Sequence, residues 1–320
     1  MKIMILDAMT LGDDMDLSRF EQLGELKVYQ QSTRQEACDR LKEFNPDVVI
    51  QNKIDMSAEV CACAPALKMI AETATGYNNI DLEYAKAHNI AVANVAGYST
   101  QSVIQHTFAL CFYVLEKLSY YDNYVKSGEY TKSPCFTHFT KVFPELNGKT
   151  WGIIGLGAIG RGVAKVAESF GCNVVYYSAS GHTQDVPYKR VEFDELLAQS
   201  DIISIHAPLN DKTMHLMNYD AFKQMKKSAI LLNLGRGPII DDAALVQALN
   251  ENLIAGAGLD VITKEPIEAE NPLNTFKDSS RLIVTPHIAW ATYEARCRLM
   301  DDVYENIVAF TKGEERNRVC

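Results

Sequence analysis

Short apolar runs alternate along the chain with longer stretches whose apolar positions recur three and four apart. Eight runs read as strands: Ile3–Leu6, Val48–Gln51, Thr150–Ile154, Asn173–Tyr177, Ile202–Ile205, Ala229–Leu232, Ala255–Leu259 and Leu282–Thr285. Runs this short, apolar on both faces, suit strands covered on both sides. Helical patterns lie between most of them. Such alternation predicts an α/β chain with parallel sheets joined by right-handed crossovers. The longest helical pattern runs from about Ser99 to Gly128, with Ser99 or Thr100 as its cap. Its first half is apolar on nearly all sides, which predicts burial. After it comes an irregular stretch whose Phe136, Phe139 and Phe143 are expected to fill a crevice between domains or cover a pocket. An amphipathic helix from Thr292 to Lys312 follows the last strand. No internal repeat and no low-complexity segment interrupts this order.

A chain of 320 residues exceeds what one core usually organises, so two domains are expected. The first 98 residues lack covering elements, and the helix near the end of the chain is expected to return to them. Residues 1–98 and 291–320 then form one discontinuous domain, with residues 99–290 inserted as the other. The formal net charge of -10 argues against a non-specific nucleic-acid binder or an acidic-membrane binder. It leaves room for an anionic substrate, because one or two buried Arg residues reverse the field locally. The eight cysteines have no C-x-x-C spacing, and no His and carboxylate cluster has metal spacing, so no metal is expected. The start, M-K-I-M-I-L-D, is too short for a signal segment, and no apolar run approaches a membrane span. The expectation is a soluble cytoplasmic protein.

Candidate chemistry changes the picture at Gly155-Leu-Gly157-Ala158-Ile159-Gly160, a G-x-G-x-x-G between a strand and a helix. Glycines there permit a tight turn and bring backbone N–H groups close to a pyrophosphate, at the positive end of a helix. Gly148-Lys149-Thr150 resembles the end of a triphosphate loop. That motif needs a glycine at position 143, which is Phe, and the segment precedes its strand instead of following one. The second strand of a dinucleotide fold would usually end in an acid that accepts the adenosine ribose hydroxyls. Ser178 stands there, and the nearby basic groups His182, Lys189 and Arg190 form no obvious clamp. NAD is therefore expected, with weak discrimination against NADP.

Three more segments each end a candidate strand: N-L-G-R-G with Arg236, G-L-D-V-I-T-K-E-P with Asp260 and Glu265, and T-P-H with His287. Loops at the carboxyl ends of parallel strands are where open sheets bind ligands. Alone, Arg236 reads as a surface ion-pair partner, Glu265 as a solvated acid and His287 as a satisfied interior histidine. With A-T-G-Y-N-N-I-D-L (74–82), the N-V-A-G-Y-S-T-Q-S-V helix start and H-A-P-L (206–209), they resemble the D-specific 2-hydroxyacid dehydrogenase family over nearly the whole chain. The resemblance implies a Rossmann-type coenzyme domain inserted in a flavodoxin-like substrate domain, in a homodimer. It implies hydride transfer between NAD(P)H and a 2-oxoacid, with Arg236, Glu265 and His287 as catalytic residues. It places Ala158, Ile159, His206, Ala207, Pro208, Thr213, Leu234, Gly235 and Asp260 at the cofactor, and Thr75 and Gly76 at the substrate carboxylate. Physical chemistry agrees. Arg236 can fork onto a carboxylate and a carbonyl oxygen, His287 can protonate the alkoxide, and Glu265 favours and orients the imidazolium.

Within the family, the helix start and the loop K-S-P-C-F-T-H-F-T-K-V-F-P-E-L look most like the glycerate dehydrogenase and hydroxypyruvate reductase branch. Hydroxypyruvate or glyoxylate is therefore the favoured substrate. The branch often carries a Tyr-Trp or Phe-Trp pair in that loop, and this chain has Phe136, His138 and Phe139. D-lactate or a larger aromatic or branched 2-hydroxyacid is the alternative. A redox-sensing, NAD(H)-binding corepressor is the alternative from another class.

Overall fold

A computed structural model describes residues 1–320. The chain separates into two compact units, Met1–Ser99 with Ala291–Cys320, and Thr100–Trp290. No helix is long and apolar enough to cross a membrane.

The first unit is built on five parallel strands: β1 (Lys2–Ile5), β2 (Glu25–Val28), β3 (Val48–Gln51), β4 (Met69–Glu72) and β5 (Ala91–Ala93). Their order across the sheet is β2-β1-β3-β4-β5, the flavodoxin-like order. Three of these strands escape a reading by hydropathy. Glu25–Val28 is a partly exposed edge, Ala91–Ala93 is very short, and Met69–Glu72 ends in an acid that is wholly buried. The helix Tyr293–Thr311 belongs to this unit, capped by Thr292, whose hydroxyl accepts from the Ala295 N–H. The tail beyond it pairs with β5, through Val92 N to Cys320 O at 3.2 Å and Val319 N to Val92 O at 2.8 Å.

The second unit has seven parallel strands: β6 (Thr150–Ile154), β7 (Asn173–Tyr177), β8 (Lys189–Arg190), β9 (Ile202–Ile205), β10 (Ile230–Asn233), β11 (Gly256–Leu259) and β12 (Leu282–Val284). They lie in the order β12-β11-β10-β9-β6-β7-β8, so the winding reverses between β6 and β9. The pleat divides this unit's core into two faces. Trp151, Ile153, Ile202, Ile230 and Leu232 face one cluster, and Ile154, Ile203, Ile205, Leu231 and Leu259 face the other. Trp151 is wholly buried, and its indole N–H is satisfied by Ser204 Oγ at 2.9 Å on the neighbouring strand.

The long helix expected from Ser99 to Gly128 is two helices, Thr100–Leu115 and Leu118–Lys126. The break falls at Lys117, whose φ is 57°. It coincides with a change of surroundings. The first helix buries nine residues, including Phe108, Leu110 and Val114, whereas the second buries none. The expected strand ends at Leu6, Ala229, Ala255 and Thr285 each lie one residue outside the observed pairing. Phe136 is 88% exposed and Phe139 71% exposed, while Phe143 meets the edge of Tyr121.

Candidate active site

The carboxyl edge of the second sheet carries the candidate residues strand by strand. At the end of β6, Gly155 takes φ 92°, and a Cβ there would lie 2.7 Å from Ala207 N and Cα. Only glycine allows that turn against the exit of β9. A Cβ on Gly160 would lie 2.3 Å from Gly155 O, so the third glycine permits close helix–strand packing. Gly157 differs, since a Cβ there would meet nothing within 4 Å. The space before the helix Ala158–Ser169 is therefore open at the one glycine that must let a pyrophosphate approach.

His206 lies at the same reversal of winding, just beyond β9. Both of its ring nitrogens are buried without a hydrogen-bond partner. Burial pushes its pKa down to about 3, so the ring is neutral. A neutral imidazole keeps one donor and one acceptor, and both are left over here. Orphaned polar atoms at a switch point are what a site built for a polar ligand presents before the ligand arrives. At the end of β7, Ser178 Oγ lies 3.0 Å from Ser180 Oγ. Lys189 pairs with Glu195 at 2.8 Å and Arg190 with Glu192 at 3.6 Å, so both cations already have partners. The residues present thus fit a dinucleotide. Gly157 and the helix terminus suit the pyrophosphate, Ser178 and Ser180 the ribose, and His206 a polar group between them.

Thr213 is fully buried and its hydroxyl is used locally, donating to Pro208 O at 2.8 Å and accepting from Asn210 N at 2.8 Å. It shapes the loop that carries Ala207 and Pro208. Leu234 N donates to Ile205 O at 3.3 Å, and a Cβ on Gly235 would lie 2.8 Å from Ala207 O. The ends of β9 and β10 therefore touch at backbone distance.

Arg236 follows on an extended backbone and is exposed. Its loop is stapled by Asn233, which is wholly buried. The Asn233 Nδ2 donates to Arg236 O at 3.0 Å and its Oδ1 accepts from Gly235 N at 3.0 Å. One guanidinium nitrogen, Nη1, donates to Gly235 O at 2.9 Å, which leaves the other donors of the fork for a ligand.

Strands β10, β11 and β12 lie side by side with Asn233, Leu259 and Val284 in register. Arg236, Asp260 and His287 thus leave the sheet from three adjacent strand ends. His287 Nδ1 lies 2.7 Å from Glu265 Oε2, both side chains about one-third exposed. The other oxygen of Glu265 accepts from Ile262 N at 3.2 Å. His287 has φ 55°, and its N–H donates to Asp260 O and Thr285 O, each at 2.9 Å. The carboxylate of Asp260 holds this left-handed turn. It accepts from Thr285 Oγ1 at 2.6 Å, Ile288 N at 2.9 Å and Ala289 N at 2.8 Å. Burial pushes its carboxyl up. Hydrogen bonds from His106, Thr285, Ala289 and Ile288 outweigh that and hold it below the ordinary carboxylate value. About four lone-pair sites on a carboxylate leave little further accepting capacity, so Asp260 serves the His287 loop first.

His106 is not among the residues to which the sequence points. Its Nε2 lies 3.1 Å from Thr285 Oγ1 and 3.4 Å from Asp260 Oδ1. A lone histidine inside the apolar Thr100–Leu115 helix was the available signal. Thr75 and Gly76 belong to the first unit. The Thr75 hydroxyl donates to Val95 O at 2.9 Å and the Asn94 amide donates to Thr75 O at 2.7 Å. Neither bond uses the N–H of Thr75 or Gly76.

The family model described as D-isomer specific 2-hydroxyacid dehydrogenase, NAD binding domain, matches residues 108–289. A hydroxypyruvate reductase of Blautia hydrogenotrophica is 38% identical over 327 residues, covering 100% of this chain and 99% of that one. A glycerate dehydrogenase of Methylorubrum extorquens is 37% identical over 319 residues, covering 99% and 98%. The crystal structure of D-lactate dehydrogenase from Aquifex aeolicus complexed with NAD and lactic acid superposes with a TM-score of 0.83 at 27% identity, covering 98% and 96%.

Proposed function

This chain belongs to the D-isomer specific 2-hydroxyacid dehydrogenase family and is an NAD-dependent oxidoreductase; from that premise we propose that it reduces hydroxypyruvate or glyoxylate to the D-2-hydroxyacid. The observation that carries the reading is the Glu265–His287 pair, held 2.7 Å apart beside the Arg236 loop. A 2-oxoacid presents a carboxylate next to a ketone. The Arg236 fork binds the carboxylate and polarises the carbonyl oxygen, and the Thr75 and Gly76 N–H groups take the carboxylate as well. Glu265 occupies Nδ1 of His287, so Nε2 is the atom that exchanges the proton with the substrate oxygen. In reduction, His287 Nε2 donates to the developing alkoxide, and in oxidation it accepts the hydroxyl proton. Glu265 orients the ring in either direction by holding Nδ1.

The bound nicotinamide supplies or takes the hydride. Gly155, Gly157, Ala158, Ile159 and Gly160 cradle its pyrophosphate. Ser178 faces the adenosine ribose, and His206, Ala207, Pro208, Leu234, Gly235 and Asp260 line the remainder, with Thr213 shaping the loop. With serines where an acid would stand, NADP is accepted beside NAD. The protein acts as a homodimer in the cytoplasm. The relatives named above, a hydroxypyruvate reductase and a glycerate dehydrogenase, support the substrate reading.

The test is oxidation of NADH, and separately NADPH, with hydroxypyruvate, glyoxylate, pyruvate and phenylpyruvate. The highest kcat/KM is expected with hydroxypyruvate or glyoxylate. Preference for pyruvate or phenylpyruvate would move the substrate to D-lactate or an aromatic acid. Tight NADH binding without turnover of any of them would favour the redox sensor.

A further inference from the structure

The carboxyl end of the first unit's sheet holds a buried polar cluster that the hydride-transfer chemistry does not use. Glu72 ends β4 and is 0% exposed. Its Oε2 accepts a hydrogen bond from the Gln51 amide and lies 3.5 Å from Asn79 Nδ2. Its Oε1 is buried without a partner. The Gln51 Oε1 accepts from Ile54 N at 2.9 Å and from Asn79 Nδ2 at 3.1 Å. Asn79 also reaches the carbonyls of Asn52 at 3.2 Å and Ile54 at 3.0 Å. Thr73 donates to Gln51 O through its N–H at 2.8 Å and its hydroxyl at 3.2 Å. The segment from Ala74 to Asn78 is therefore anchored at one end on the Gln51 carbonyl, through Thr73, and at the other on the Gln51 and Glu72 side chains, through Asn79. Thr75 and Gly76 lie within it.

The charged groups that act on Glu72 are Asp7, beyond β1, and Lys53, beyond β3. The carboxylate of Asp7 accepts from Asn52 N at 3.0 Å and Lys53 N at 2.7 Å. Ionised, Glu72 would be a buried anion with one unpaired oxygen and a second carboxylate in its field. As a neutral acid it avoids most of that cost. Burial pushes its pKa up to about 9; hydrogen bonds from Asn79 and Gln51 and the Lys53 charge oppose this, while Asp7 adds to it.

We propose that Glu72 is a positioning residue: as a neutral acid it locks the Ala74–Asn78 loop in the form that offers the Thr75 and Gly76 N–H groups to the substrate carboxylate. The substrate half of this proposal rests on the 2-oxoacid reading above. Ionisation of Glu72 would strengthen the bonds donated to it but leave a wholly buried anion with one unpaired oxygen, a cost that favours opening of the loop to water. It also places a negative charge beneath a site for an anion.

Two measurements decide it. The first uses no substrate: thermal unfolding of the wild type and of Glu72→Gln from pH 5 to pH 10. The folded pKa of Glu72 lies above the ordinary value of 4.5, so the folded protein keeps a proton that the unfolded chain gives up. Stability from that proton is complete below the ordinary value and is lost as pH rises towards about 9. The Tm of Glu72→Gln should therefore gain on the wild type as pH rises and level off above about 9. A constant difference would show that Glu72 is not held neutral.

The second is KM for the 2-oxoacid against pH, in the wild type, Glu72→Gln and Glu72→Ala. Wild-type KM should rise roughly tenfold more than that of Glu72→Gln between pH 8 and pH 10, the size of a like-charge interaction across about 12 Å at an effective dielectric near 20. Glu72→Ala should have a raised KM at every pH, rescued at pH 7 by Gln, while NADH affinity moves less than about twofold. Parallel KM profiles in the wild type and Glu72→Gln would overturn the proposal and leave the oxoacid reading standing. No turnover in the wild type would remove that reading and the substrate half with it, and the unfolding curves would still decide the neutral acid.

Discussion

His287 carries its imidazole on a backbone with φ 55°, a conformation that few residues other than glycine adopt. The surrounding loop over-determines it through Asp260 and Thr285, which is how proteins maintain local strain where chemistry needs a fixed group. Proton transfer by a positioned histidine is worth about 10² or more in rate. His287→Ala should therefore lower kcat by about that factor with NADH binding nearly intact, as read by stopped-flow turnover and NADH fluorescence. Near-normal turnover would remove His287 from the mechanism. In the proposed function, Ser178 is the residue that governs coenzyme preference. A carboxylate there would accept the ribose hydroxyls and repel a 2′-phosphate. Ser178→Asp should raise the NADH over NADPH preference at least about tenfold in kcat/KM, because its carboxylate would repel the 2′-phosphate. An unchanged ratio would mean that position 178 does not face the ribose.

At the scale of elements, the turn from β6 into the helix Ala158–Ser169 separates two uses of glycine. Gly160 is forced by packing, because a Cβ would lie 2.3 Å from Gly155 O, whereas Gly157 borders open space. Gly160→Ala should destabilise the protein by about 1–3 kcal/mol, as overpacking does. Gly157→Ala should leave Tm within a degree or two and weaken NADH binding roughly tenfold, through the space taken from the pyrophosphate. A large loss of Tm in the Gly157 variant would contradict this division. The same scale explains which elements could be read from the chain. Strands β3, β6 and β9 are sharp in hydropathy because both faces are covered. Strand β2 was missed because its partly exposed edge alternates weakly, and β4 because its last residue is an acid. The break at Lys117 carries no Gly or Pro signal; it follows from where burial ends.

For the whole molecule, the order of the motifs was enough to expect an α/β chain with parallel sheets and a phosphate-binding turn, since each rests on local rules of period and backbone freedom. Glycines at 155, 157 and 160 were visible for the same reason, whereas Arg236, Glu265 and His287 each read alone as ordinary residues and drew attention only through the family resemblance of the segments that carry them. Most partnerships were not visible, because hydrogen bonds join residues far apart in the chain, and the Glu265–His287 pairing was expected only through the family resemblance. That Glu265 meets His287 across 22 residues, and that His106 reaches Thr285 across 179, depends on three parallel strands and a buried helix aligning their ends. The exposure of Phe136 and Phe139, the orphaned nitrogens of His206 and the buried neutral acid at Glu72 are likewise properties of surroundings. The amino-acid order by itself determined the periodicities, the turn chemistry and the inventory of reactive groups, because these depend on neighbours within a few residues. Tertiary structure alone decided which groups meet, which are stripped of water and which are left unpaired, because desolvation and hydrogen bonding are set by whatever the fold brings within about 4 Å.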